Sequence, residues 1–174
     1  MKTPRSLLGL FACLIYSFLL LSCGDGHDHH DHAHDHDHDH GHDHAGHGHA
    51  HVAPHGGALV LLGKHGSGYH LEVVLAEDGL FDVYVLDGEA EKFVRVKQEN
   101  LSLQVSPIGD GNATTVTLSA VADKTTGEAV GDTSRFSAQT NFGGLKKFEG
   151  VVNAILIKGA SFEKVAFRYP EGNE

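Results

Sequence analysis

Apolar residues recur every second position along most of the chain beyond residue 52. Phe81, Val83 and Val85 alternate with Asp82 and Tyr84. Leu101, Leu103 and Val105 repeat the pattern, as do Val116 and Leu118. A period of two marks strands with one covered face. Short strands are predicted over 58–62, 69–76, 80–86, 93–97, 101–105, 114–121, 134–140, 151–158 and 162–169. The breaks between them carry turn residues, among them Glu77-Asp78-Gly79 and Asp87-Gly88, which suit tight antiparallel connections. One helical turn is predicted over 143–148. Eight or nine short strands at regular spacing predict an all-β fold, a single antiparallel β-sandwich, with an up-and-down barrel as the alternative.

The first 51 residues follow other rules. Lys2 and Arg5 precede an apolar stretch from 7 to 21, and Leu20-Leu21-Ser22-Cys23 closes it. Charge, apolar run and small residue are the parts of a secretory signal. A cysteine directly after the small residue resembles the lipobox of bacterial lipoproteins. Residues 1–22 are therefore expected to be removed and Cys23 to be acylated, anchoring the chain to a membrane of the bacterial envelope, facing the periplasm or the exterior. Cys13 leaves with the leader, so no intramolecular disulfide can form.

Residues 23–51 form the predicted tail and 52–174 the predicted domain. Positions 27–51 hold 13 His, six Asp, three Gly and three Ala, with no apolar side chain larger than Ala. Such a segment cannot bury enough surface to offset the entropy of ordering it, and disorder is expected. Its donors are His27, His29, His30, His32, His34, His36, His38, His40, His42, His44, His47, His49 and His51. Neutral imidazole binds zinc, nickel, copper and cobalt, and carboxylate adds a hard oxygen donor. The expected ligand is zinc first, with nickel, copper or cobalt as alternatives, held at several interchangeable sites. A calcium loop fails, because His40 and Gly46 stand where an EF-hand from Asp35 needs Gly and Glu. A pH-responsive spacer is the competing reading of the same composition.

The formal charge is -10, from 13 basic and 23 acidic residues, and both tail and domain are acidic. Nucleic acid is excluded as a partner, since phosphate binding requires clustered Lys and Arg. No catalytic constellation is recognisable. Ser67 in Gly-Ser-Gly lacks the spacing of a nucleophile elbow, and Gly63, Gly66 and Gly68 read as a turn rather than a phosphate loop. The expectation is a binding protein, not an enzyme.

Three donors stand out near the domain's start. His70 and Glu72, two apart on one predicted strand, share a face opposite Leu71 and Val73. His55 precedes the first strand and could approach them, giving two imidazoles and a carboxylate for one zinc ion. The plainer alternative makes His70 and Glu72 a solvated strand face and His55 the end of the tail. His65, in the Gly-rich turn, reads as merely exposed.

The run His55-Gly56-Gly57, with 59–62, Tyr69-His70-Leu71-Glu72 and Tyr84-Val85-Leu86-Asp87-Gly88, resembles the small all-β N-terminal domain of periplasmic adaptors of heavy-metal RND efflux systems. It is also similar to bacterial envelope lipoproteins that join a His-rich tail to that domain. The resemblance covers residues 51–90. It implies binding or buffering of a divalent metal in the envelope, with a metal transporter component as partner, and His55, His70 and Glu72 as ligands. The adaptor's hairpin and barrel segments are missing, so only the binding module is implied. The competing function is a lipid-anchored module that docks a protein partner.

Overall fold

The computed structural model describes residues 50–109 and 112–173. Eight strands follow in chain order: β1 (Ala58–Leu62), β2 (Tyr69–Leu75), β3 (Leu80–Leu86), β4 (Asn100–Pro107), β5 (Thr114–Ala120), β6 (Arg135–Gln139), β7 (Phe148–Ile157) and β8 (Ala160–Tyr169). All pair antiparallel in one sheet of order β1-β2-β3-β6-β5-β4-β7-β8. β1, β2 and β3 are a meander. The chain then crosses to β4, returns through β5 and β6 to complete the pairing with β3, and crosses again to β7.

This corrects the expected two-sheet sandwich. The single sheet curls until β1 approaches β8, giving a nearly closed barrel. Inward residues alternate with outward ones in either architecture, so periodicity could not separate them. Closure rests on Asn173, which the alternation does not mark. Its side-chain oxygen accepts from Leu61 N at 2.7 Å, and its Nδ2 donates to Leu61 O at 3.3 Å and Ala166 O at 3.2 Å. Its own backbone N–H donates to Leu59 O at 3.3 Å. One amide side chain thus substitutes for a strand peptide between β1 and the β8 end.

The barrel is filled by the inward set: Leu62, Leu71, Phe81, Leu101, Leu103, Leu118, Phe136, Phe148, Ile155 and Ile157 are all buried. Phe148 meets Phe81 and Phe167 edge-on, with centroids 5.9 and 6.0 Å away, and stacks on Tyr169 at 4.8 Å. Each fully buried ring contributes about 2–3 kcal/mol of apolar burial. The inward face changes parity within β7, from Phe148, Gly150 and Val152 to Ile155 and Ile157. At that point Lys164 on β8 adopts φ 53°, and the Asn153–Lys164 pair drops out of the ladder. Such local irregularities bend paired strands and help a sheet curl.

Two other expectations need correcting. Residues 93–97 form no strand, only single bridges from Phe93 to Leu86 and from Val96 to Thr133. The alternation there is nonetheless real, since Val94 and Val96 are buried in the core. It reports coverage of one face and not membership of a ladder. Residues 143–148 contain a Gly143-Gly144 turn, closed by Leu145 N donating to Phe142 O at 2.9 Å, and Phe148 already belongs to β7. No helix forms among the described residues.

Gly150 faces Phe167 across the β7–β8 pair, and a Cβ there would overlap the ring. Phe167 and the backbone behind it are both buried, so neither can yield cheaply. Gly150→Ala should lower unfolding free energy by roughly 1–3 kcal/mol, the usual cost of overpacking, read from urea midpoints at unchanged m-value.

Candidate functional site

In β2, Leu71 and Val73 enter the core, which turns His70 and Glu72 to the outside of the barrel. The register sets them in two rows across the meander. Leu59, Glu72, Tyr84 and Arg135 lie side by side in one, and Leu61, His70 and Leu86 in the next. This outer face is not solvated. The segment 51–57 and the connection 87–93 pack over it, and His70 and Glu72 are both 0 % exposed. Leu59, Leu86 and Ala90, with Ala53 against them, form a second small apolar cluster on this side.

Glu72 holds the covering segment down. Its Oε1 accepts from His55 N at 2.6 Å and Gly57 N at 3.0 Å, and its Oε2 accepts from His55 Nδ1 at 2.8 Å. The local sequence makes this geometry available. Ala53-Pro54-His55-Gly56 is a turn closed by Gly56 N donating to Ala53 O at 3.1 Å, with Pro54 pre-set for its second position and Gly56 at φ 71°. Gly57 lies flat on β2, where a Cβ would come within 2.8 Å of Val74 Cγ2 and 2.9 Å of Glu72 Cγ. Because a carboxylate only accepts, His55 Nδ1 carries the proton of the neutral ring and Nε2 its lone pair. His55 stacks on Tyr84 at 4.0 Å between ring centroids, with Phe93 at 5.9 Å. Burial above all pushes the Tyr84 phenol up. The Arg135 guanidinium opposes that shift, and the carboxylates of Asp82 and Glu72 add to it.

His70 takes a different partner. Its Nδ1 donates to Asp87 O at 3.1 Å, and its ring meets His51 edge-on with centroids 4.7 Å apart. The structure therefore joins His55 to Glu72 but places His70 in a neighbouring cluster with His51 and His65. Among the described residues, no group of three or more His, Cys, Asp or Glu side chains is arranged to hold a metal ion. The solvated-face alternative is overturned by burial. Cys23 and the tail histidines from His27 to His49 lie outside the described residues. His51, expected as the last residue of the tail, packs on the barrel with its side chain 2 % exposed.

Beside His55 opens a cleft of about 640 Å³, lined by Tyr84, Phe93, Arg95 and Arg135 among others. Its charges are largely spent on one another. Arg135 grips Asp82 through two nitrogens at 3.0–3.2 Å. Arg95 reaches Asp132 at 3.2 Å and the carbonyl of Thr126. What the cleft offers a ligand is aromatic surface, including Phe93 at 50 % exposure.

His65 is exposed in the turn between β1 and β2, as expected, with its ring centroid 4.9 Å from that of His51. The sequence reading did not foresee that the Asp87 carbonyl accepts from His70. Comparison with known proteins found no matching family model, no matching curated protein and no matching solved structure.

Glu72→Ala should destabilise the fold by roughly 1–3 kcal/mol, because it removes the shared acceptor of two backbone N–H groups and of the partly exposed His55 ring. Glu72→Gln keeps one oxygen for the two backbone N–H groups and should lose less than half as much. Urea unfolding of both variants checks this. Equal small losses would show that the segment 53–57 is held by other contacts.

Proposed function

We propose that the protein is a lipid-anchored envelope protein that binds divalent transition metal, zinc first, as a buffer, scavenger or donor to a metal transport system. The observation that carries this reading is the tract 27–51, where 13 imidazoles alternate with carboxylates. No other common side chain combines a lone pair at neutral pH with loss of it just below. The leader and Cys23 support the location. The resemblance of residues 51–90 to the N-terminal domain of metal-efflux adaptors supports the role, and the four imidazoles at 51, 55, 65 and 70 on one flank of the barrel agree with it.

Calorimetry of the mature chain against Zn²⁺ at pH 7.5 should give several ions per chain. Replacing every histidine from His27 to His49 by Ser should remove most of that capacity, and lowering the pH to about 5 should release the ions, because protonated imidazole is no ligand. Undiminished stoichiometry after the replacement would overturn the tail's role. For the anchor, Cys23→Ser should abolish incorporation of labelled fatty acid and release the protein from membranes, since firm anchoring needs more than one acyl chain. A labelled, membrane-bound Cys23→Ser protein would refute it.

A second reading has one observation in its favour. The cleft beside His55, with Phe93 exposed and its charges mutually paired, has the apolar floor of a docking site for a protein segment. Under that reading the tail is a spacer whose charge follows pH, and replacing its histidines would leave partner binding intact.

A further inference from the structure

Three separate elements enclose the cleft beside His55. Its floor is the outer face of β3 and the start of β6, which supply Tyr84 and Arg135. One wall is the segment ahead of β4, with Phe93. The other is the excursion 121–134 between β5 and β6, and Arg95 pins it in place. The Arg95 guanidinium donates to the carbonyls of Thr126 and Gly127 and to Asp132 Oδ2 at 3.2 Å, with Glu128 Oε1 3.6 Å away. His55, Tyr84 and Phe93 make an aromatic corner. The Phe93 ring lies 5.9 Å from His55 and 6.0 Å from Tyr84, tilted to both, and half of Phe93 stays exposed.

Two observations indicate what this surface receives. The first is charge. Arg135 is matched by Asp82, and Lys92 by its neighbour Glu91. Arg95 answers to both Glu128 and Asp132. Asp123 also lines the cleft, and its Oδ1 accepts from the hydroxyl and N–H of Thr125 at 2.6 and 2.8 Å, both neutral groups. The hydroxyl first, then the N–H, hold its carboxyl below the usual carboxylate range. Three cations thus stand against five carboxylates, and the surplus lies in the 121–134 excursion. Lys124 belongs to that excursion but does not line the cleft. The second observation is a mimic within the chain. The Arg135 guanidinium lies over the Tyr84 ring, 5.5 Å from its centroid, while two of its nitrogens hold Asp82. A ring face and a carboxylate together are what a planar cation prefers. Phe93 and Asp123 bring the same two groups to the same cleft.

We propose that the cleft docks a segment of a protein partner through an arginine side chain, its guanidinium on the Phe93 ring and its nitrogens on the surplus carboxylates of the 121–134 excursion. The inference rests on the docking reading and names the chemistry of the partner. Arginine suits the cleft better than lysine, because its planar, weakly hydrated cation stacks on a ring and grips a carboxylate through two nitrogens at once. Size favours a segment over a free cation. The cleft holds about 640 Å³, more than one side chain fills and within the range of roughly 300–1,000 Å³ for pockets that take larger ligands. A neutral or acidic segment would cover the surplus carboxylates without compensating them.

The test titrates the full mature chain with three blocked probes and follows the Phe93 and Asp123 resonances by NMR. The probes are N-acetyl-arginine amide, its neutral isostere N-acetyl-citrulline amide, and a blocked tripeptide with arginine between two alanines. Arginine should shift both resonances and bind roughly tenfold more tightly than citrulline, which keeps the shape and lacks the charge. The tripeptide should bind more tightly than blocked arginine. Phe93→Ala and Asp123→Asn should each weaken arginine binding by about two- to fivefold. Both variants should keep the native melting temperature, since Phe93 is half exposed and Asn retains the oxygen that accepts from Thr125. If citrulline binds as tightly as arginine and both depend on Phe93, the docking reading stands and the cationic partner is wrong. A tripeptide that gains nothing over blocked arginine overturns the protein segment in favour of a free organic cation. Arginine binding that ignores both substitutions belongs to the acidic tail and overturns the site. If no probe shifts Phe93, the docking reading and the inference fall together.

Discussion

A single carboxylate buried against the outside of the barrel organises the region where chemistry is concentrated. Glu72 is fully removed from solvent, and an anion there would be costly if it lacked donors. It has three, all from the four-residue stretch that begins at Pro54: two backbone N–H groups and the His55 ring. The exchange is mutual, because those N–H groups would themselves be orphaned without the carboxylate. The segment before β1 is thereby fixed onto β2 by a polar contact, where an apolar one would set its position but not its register. His51 reaches the His70 ring, and His55 the Tyr84 ring, because this contact sets the chain's path.

The strands were largely legible because a one-sided sheet writes its burial into alternate residues. Five of the eight come close to their expected limits, while β4, β7 and β8 are longer than expected. What alternation cannot encode is which sheet edges meet. The barrel is distinguished from the sandwich by an amide side chain at Asn173, outside any strand, and by a parity change at Asn153 and Lys164 that looks like noise in the pattern. The segment 93–97 shows the converse error. Val94 and Val96 are buried as a strand's would be, yet Val94 hydrogen-bonds to Val85 in β3 and Val96 to Thr133 ahead of β6, so the period was right and the element was not.

The site was legible only in part, for a similar reason. Period two placed His70 and Glu72 on one face correctly. It could not say that the face is covered, because the cover comes from residues 51–57 and 87–93, which have no periodicity. Once covered, neighbours in the sequence take separate partners. Glu72 takes the backbone and ring of His55, while His70 takes a carbonyl and the His51 ring. Glu72 thus supports an imidazole instead of standing beside one as an equal donor. His65 is exposed, as a histidine in a glycine-rich turn ordinarily is, but nothing local to the turn announces that its ring lies against that of His51.

The closure between β1 and β8 also sets an order of events. The hydrogen bonds from Asn173 to Leu61 join residues 112 positions apart. Almost the whole domain is therefore enclosed in one loop that must be drawn together before its last pairing forms, and non-local pairings of this kind slow folding. Until then β1, an apolar strand, presents an unpaired edge, the feature through which β proteins recruit one another. Late closure leaves the domain open to edge-to-edge association until Asn173 docks on β1.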